Sequence, residues 1–130
     1  LYVGWKDAST YGIDLISTSS KQSTVILETL IFDGNVPFKN KKFNEIKLIC
    51  KPLASGESIV VKYDANRTGS FTTLNTLSFA SHGAVNEKKF TFNTSAGFVK
   101  GYELKMRLEL VGGASLVEAA VTYDDSEDII

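Results

Sequence analysis

Residues 102–110, YELKMRLEL, alternate without a break: Tyr102, Leu104, Met106, Leu108 and Leu110 are apolar, while Glu103, Lys105, Arg107 and Glu109 are charged. An extended backbone points successive side chains to opposite faces, so the first set enters a core and the second meets water. Wound as a helix, the same residues would scatter apolar groups around the circumference and bury charge without partners. A half-buried β-strand is predicted. The rhythm returns with Ile46, Leu48 and Cys50 against Glu45, Lys47 and Lys51, and with Ile59, Val61 and Tyr63 against Ser58 and Lys62. Val117, Ala119, Val121 and Tyr123 form a further inward row, and Phe90 with Phe92 a shorter one. The run 25–32, VILETLIF, is apolar on both faces apart from Glu28 and Thr29, which predicts a central or doubly covered strand.

Turn chemistry separates these runs: PLASG at 52–56, DANRTG at 64–69, SHG at 81–83, NTSAG at 93–97 and Gly112-Gly113. Strand and turn repeating about every ten residues predict an all-β fold, an antiparallel β-sandwich that is jelly-roll-like. Only 114–120, ASLVEAA, has helix-compatible composition, and its Gly-Gly lead-in and continuation into Val121-Thr122-Tyr123 favour a strand. Little helix is expected.

With 130 residues the chain is long enough for one core without metal or disulfide staples, and the single Cys50 rules out an internal disulfide. Fourteen Lys and Arg against 15 Asp and Glu leave a net charge of -1, so no basic field of the kind that nucleic acid or an anionic membrane surface requires is present. Apolar runs are interrupted by Lys, Glu or Gly well before the roughly 18 residues that a membrane-spanning helix needs. The chain opens on Leu1 without a signal-peptide pattern and reads as a fragment. Residues 1–20 are expected to be a connecting segment, the end of a preceding β-rich module, with the polar STSSKQS at 17–23 bridging into a sandwich domain over 21–130.

The segments LYVGWKD (1–7), YGIDLIS (11–17), IFDG (31–34) and KKFNEIKLICKPLASGESIVVKYDAN (41–66) carry a resemblance. Its most specific words are Trp5-Lys6-Asp7 with Gly12-Ile13-Asp14, and the strand–turn–strand unit around Pro52 to Tyr63. The chain resembles uncharacterised bacteriophage and metagenomic structural proteins, in which a repetitive, propeller-like β-rich part is followed by a C-terminal β-sandwich. The resemblance implies a virion or tail-associated module, located in the viral particle, with no enzyme activity. Its partners would be other virion proteins or a second copy of itself.

Residue types that carry chemistry are sparse and scattered. His82 is the only histidine, in an expected exposed turn, and a zinc site gathers three or four N, S or O ligands. Cys50 shares an inward row, where a thiol acts as a small hydrophobe and lacks the exposed electropositive setting that activates it. Asp7 with Asp14 would suit Ca2+ or acid–base work only if held together in contrasting environments; the turn chemistry of Asp favours Asp7 as a cap and Asp14 as an outward strand residue. The acidic end Asp124, Asp125, Glu127 and Asp128 reads as a solvated terminus. Lys39, Lys41 and Lys42, with Lys88 and Lys89, read as solvated faces without interleaved aromatics. Phosphate-binding Gly-rich loops are absent, and the sequons at Asn66 and Asn93 are near chance in a Ser/Thr-rich chain. No catalytic residue, metal or cofactor is assigned.

The alternative function is a carbohydrate-binding module used in host attachment. A sugar face stacks on an aromatic ring while polar groups orient its hydroxyls. Trp5 and Tyr11, with Tyr2, supply aromatics near the N-terminal turn, and Asp64, Asn66 and Arg67 supply polar groups in the loop beside Tyr63. Packing into a core or an upstream module competes with that use of the aromatics. A hydrolase on the same scaffold would depend on Asp7, Asp14 or His82.

Overall fold

The computed structural model describes residues 2–7, 9–15 and 23–124, with side chains described at 9 and over 23–124. Two strands, β1 (Tyr2–Asp7) and β2 (Thr10–Leu15), form an antiparallel hairpin of their own, with Tyr2 opposite Leu15 and Asp7 opposite Thr10. The remaining elements in chain order are β3 (Thr24–Glu28), β4 (Lys41–Cys50), β5 (Ser58–Ala65), β6 (Thr72–Ser78), α1 (Phe79–His82), β7 (Glu87–Thr91), β8 (Asn93–Thr94), β9 (Gly97–Phe98), β10 (Lys100–Gly101), β11 (Leu104–Val111) and β12 (Leu116–Asp124). Among the described residues α1 is the one helix, a single turn capped by the Ser78 side chain.

Two antiparallel sheets face each other as a β-sandwich. In one, β4 is central, with β12 along one side and β7 then β10 along the other. The second has the order β3-β11-β5-β6. The chain crosses between layers at β3–β4, β4–β5, β6–β7, β10–β11 and β11–β12, which builds the predicted antiparallel β-sandwich. The alternating pattern holds where it was clearest: Leu104, Met106, Leu108 and Leu110 are buried, and so are Ile46, Leu48, Cys50, Ile59, Val61, Phe90 and Phe92. Tyr102 falls before β11 and is exposed.

Two bulges in the β4–β12 pairing reset the phase. On β4 the pairing jumps from Glu45–Thr122 to Phe43–Tyr123, leaving Asn44 as the extra residue, so Phe43 and Lys41 turn inward below it. The Asn44 carbonyl then accepts from the Phe92 N–H at 2.8 Å. The inward position brings Lys41, expected on a solvated basic face, into full burial, and its ammonium donates to the carbonyls of Val36 (2.8 Å), Lys39 (3.0 Å) and Tyr102 (2.8 Å). All three N–H groups are satisfied, which is what lets a cation stay buried. On β12 the jump between Leu116 and Glu118 leaves Val117, expected to point inward, as the extra residue, 65% exposed, and Leu116 takes the inward place instead. Ala119, Val121 and Tyr123 keep the inner face opposite Leu48, Ile46 and Phe43, although Ala119 is exposed.

The largest departure is the run 25–32. Instead of a central strand, β3 is an edge strand exposed along its whole length. A run apolar on both faces implies cover on both sides only when another layer lies over it, and neither side of β3 is covered among the described residues.

Candidate functional site

Contacts between β6 and β7 close the sandwich on one flank, so β3 and β12 face each other on the other. There the layers do not close. Leu27 and Val25 pair with inward Leu108 and Leu110 and so point toward the interior, yet they remain 43% and 38% exposed. Beyond β3 the chain continues alongside β11 through the Thr29 N–H bond to the Met106 carbonyl (3.0 Å) and reciprocal bonds between Phe32 and Leu104 (2.9 Å). Between those anchors Leu30 swings out, 91% exposed, with Ile31 and Phe32 also exposed. Phe32 meets Tyr123 edge-to-face at 5.1 Å, the one ring contact across the mouth of this flank among the described residues. A cleft of 530 Å³ opens here, lined by Thr29, Leu30, Ile31, Phe32, Leu104, Met106 and Val121. Its chemistry is almost wholly apolar.

Polar groups frame it. On the outer face, Glu28 is held by Lys105 (3.1 Å) and Arg107 (3.3 Å), and Glu109 by Lys62 (2.7 Å) and Arg107 (3.3 Å). The Lys62 hydrogen bond keeps the Glu109 carboxyl below the usual carboxylate range despite partial desolvation. Below the cleft, Gly34 takes a left-handed φ of 65°, and a Cβ there would press on the Tyr123 hydroxyl and the Lys41 side chain.

The loop expected to make sugar contacts is built differently from an open binding loop. Asp64 is buried; its carboxylate accepts from the Thr68 N–H (2.9 Å), the Thr68 hydroxyl (2.6 Å) and the Gly69 N–H (3.0 Å). The hydrogen bond from Thr68 is the main reason its pKa lies below the ordinary aspartate value. Asn66 accepts from the Tyr102 N–H (2.8 Å), and Arg67 grips Glu103 through two nitrogens, which raises the guanidinium pKa. Asn66 and Arg67 both adopt positive φ, 63° and 54°, held there by these side-chain bonds. A hollow of 190 Å³ beside Ile31, Arg67, Glu103 and Lys105 is the space left next to the loop. Trp5 pairs with Gly12 and Tyr11 with Lys6 in the hairpin, and their side chains lie outside the described residues.

The other candidates are dispersed. Asp7 and Asp14 stand four rungs apart on the hairpin, opposite Thr10 and Val3, a separation of roughly 13 Å along the strands. His82 belongs to α1 and is half-buried rather than exposed, with its ring 6.1 Å from Phe90 and Nδ1 beside the Ser78 backbone. Cys50 is buried with its thiol toward the Val85 carbonyl, and burial pushes its pKa up, away from the reactive thiolate. Asp124 ends β12 opposite Lys42, while Asp125, Glu127 and Asp128 lie outside the described residues. Lys42 sits 4.7 Å over the Phe98 ring, and Lys89 and Lys47 pair with Glu45 and Glu87. Among the described residues no group of three His, Cys, Asp or Glu side chains could hold a metal ion, and no helix is long and apolar enough to cross a membrane.

The apolar flank is the feature of the surface with the clearest binding character, and the sequence pattern does not reveal it, because periodicity cannot tell a buried strand from an unprotected edge. Its one signal is the lack of Lys, Pro or Gly within 24–32. No family model, curated protein or solved structure matches the chain.

Proposed function

We propose that this domain is a non-catalytic structural and interaction module of a virion or appendage protein, docking a protein partner through its open flank. The docking rests on one observation: Val25 and Leu27 on the inner face of the edge strand and Leu30, Ile31 and Phe32 beyond it border an apolar cleft, with Ile26 on the outer face, and their exposures run from 38% to 91%. Contiguous apolar surface on an otherwise charged domain marks a protein contact. Covering it returns about 25 cal/mol for each Å² removed from water. The virion setting comes from the sequence resemblance alone. Sugar binding is supported less well, because Asp64, Asn66 and Arg67 already spend their polar groups on Thr68, Gly69, Tyr102 and Glu103.

Particle incorporation is the test. Mass spectrometry of purified particles should find this chain as a component, and the double variant Leu30→Ser/Phe32→Ser, folded by circular dichroism, should be incorporated poorly. Particles without the chain, or incorporation of the variant at the wild-type level, would overturn the reading.

A further inference from the structure

We infer that the partner on the β3 edge is a second copy of this chain, joined by antiparallel β3–β3 pairing about a two-fold axis at Ile26. The inference rests on the open flank being a docking surface and adds the occupant and its register.

The backbone decides which groups are free. Within an antiparallel ladder the N–H and C=O of one residue point to the same neighbouring strand, and the next residue points them the other way. Thr29 donates to Met106 (3.0 Å), and the Ser23 carbonyl accepts from Gly112 (2.9 Å), both within the register that pairs Leu27 with Leu108. Ser23, Val25, Leu27 and Thr29 therefore face β11. Thr24, Ile26 and Glu28 turn their N–H and C=O outward, to an edge that no strand among the described residues meets.

Among the described edge strands of the two sandwich sheets, this edge is the unguarded one. β6 carries a bulge at Leu74 and a polar TTLNT sequence, β7 carries Glu87, Lys88 and Lys89, and β12 carries Glu118 beside the bulge at Val117. β3 is TVILE, without Pro, Lys, Gly or bulge, and its one charge, Glu28, is neutralised by Lys105 and Arg107. A flat apolar edge of this kind is a template for another strand.

The strand is also complementary to itself. With the axis at Ile26, Ile26 opposes Ile26 of the second copy, Thr24 opposes Glu28, and Val25 opposes Leu27. Each outward residue on both strands then donates one hydrogen bond and accepts one. Sliding the register by two places leaves one outward residue on each strand without a partner. Glu28 faces a threonine rather than its own copy, so no like charges are opposed, and on the inner face apolar meets apolar. The β3-containing sheets of the two copies become one continuous sheet, with the same patch used by both, as a two-fold interface demands.

Sedimentation velocity of the full chain over a concentration series, with disulfide trapping, tests this. The wild type should sediment as a dimer. Ile26→Cys should cross-link to itself, because a hydrogen-bonded antiparallel pair sets Cα atoms about 5.5 Å apart, within disulfide reach. Thr24→Cys alone should not cross-link. Ile26→Pro removes an N–H that β11 does not use, so the monomer should stay folded and the dimer should be lost; Ile26→Lys, which opposes two ammonium groups across the axis, should do the same by repulsion. A wild type that stays monomeric, a dimer indifferent to both substitutions, or an Ile26→Cys variant that fails to cross-link overturns the inference. If it fails while Leu30→Ser/Phe32→Ser still blocks incorporation, the flank docks a different protein. If both fail, the docking reading falls as well.

Discussion

Leu77, Phe90 and Phe92 on one flank and Val25 and Leu27 on the other are the same kind of residue in the same kind of place, inward near the sandwich margin, on a strand or, for Phe92, directly after one. The first three are 6% exposed or less, whereas Val25 and Leu27 stand at 38% and 43%. What differs is the opposite layer. On the closed flank β6 and β7 meet, with Phe79 and Val85 from the short crossing between them laid against the core. Across the open flank β3 looks toward β12, whose Ala119 is too small to reach it and whose Val121 lines the cleft instead of filling it. Burial is thus a property of the pair of layers, and the same apolar side chain is a stabilising element on one flank and a contact surface on the other.

The largest effect that could break this comparison is at Phe92, fully buried and packed on Phe43 and Tyr63. Phe92→Ala should cost about 3–5 kcal/mol in urea-induced unfolding, since the cavity adds to the lost burial. A loss as small as that of a surface substitution would mean that the closed flank is no better packed than the open one.

An intermediate effect is expected at Asp64, where burial is matched by internal hydrogen bonds. Asp64→Asn should cost about 1–2 kcal/mol at neutral pH by weakening charge-assisted bonds to Thr68 and Gly69. Because the fold holds this carboxyl below its ordinary value of 3.8, its contribution is complete above that pH and is lost as pH falls through the lower folded-state value. The stability gap between wild type and variant should therefore narrow in acid, as followed by thermal unfolding from pH 6 downward. A gap that stays constant would show that the turn does not depend on the charge.

The smallest effect is at Leu30. Leu30→Ser should change stability by no more than about 0.5 kcal/mol, since a side chain 91% exposed gives up little on truncation. A clear loss of stability by the same unfolding measurement would show that Leu30 is covered in the folded monomer.

Much of the fold was legible. The alternation over 104–110 placed every residue of that stretch of β11 on its correct face, and Gly112-Gly113, with positive φ at both, marked the turn into β12. Bulges were hard to read: one extra residue at Asn44 or Val117 flips the phase of the strand on its far side, and the trace at Asn44 is the three-residue step from Phe43 to Ile46, which alternation alone does not turn into a bulge. Lys41 shows the consequence, since a lysine in a basic run reads as solvated until the bulge turns it toward three carbonyls. Within the loop at 64–69, the turn composition was plain, but whether its polar groups faced a ligand or one another was not. The partners of Asn66 and Arg67, Tyr102 and Glu103, lie 36 positions away in the chain.

By itself, then, the order of residues determined that this chain forms pleated strands joined by tight turns, because side-chain alternation and the φ demands of glycine act within a few residues of one another. Only the tertiary structure decided which strand stands at an edge, which apolar face stays open and which buried cation finds its acceptors. Those outcomes depend on what is brought opposite across the two layers, and that opposition joins residues such as Phe32 and Tyr123 that no local pattern links.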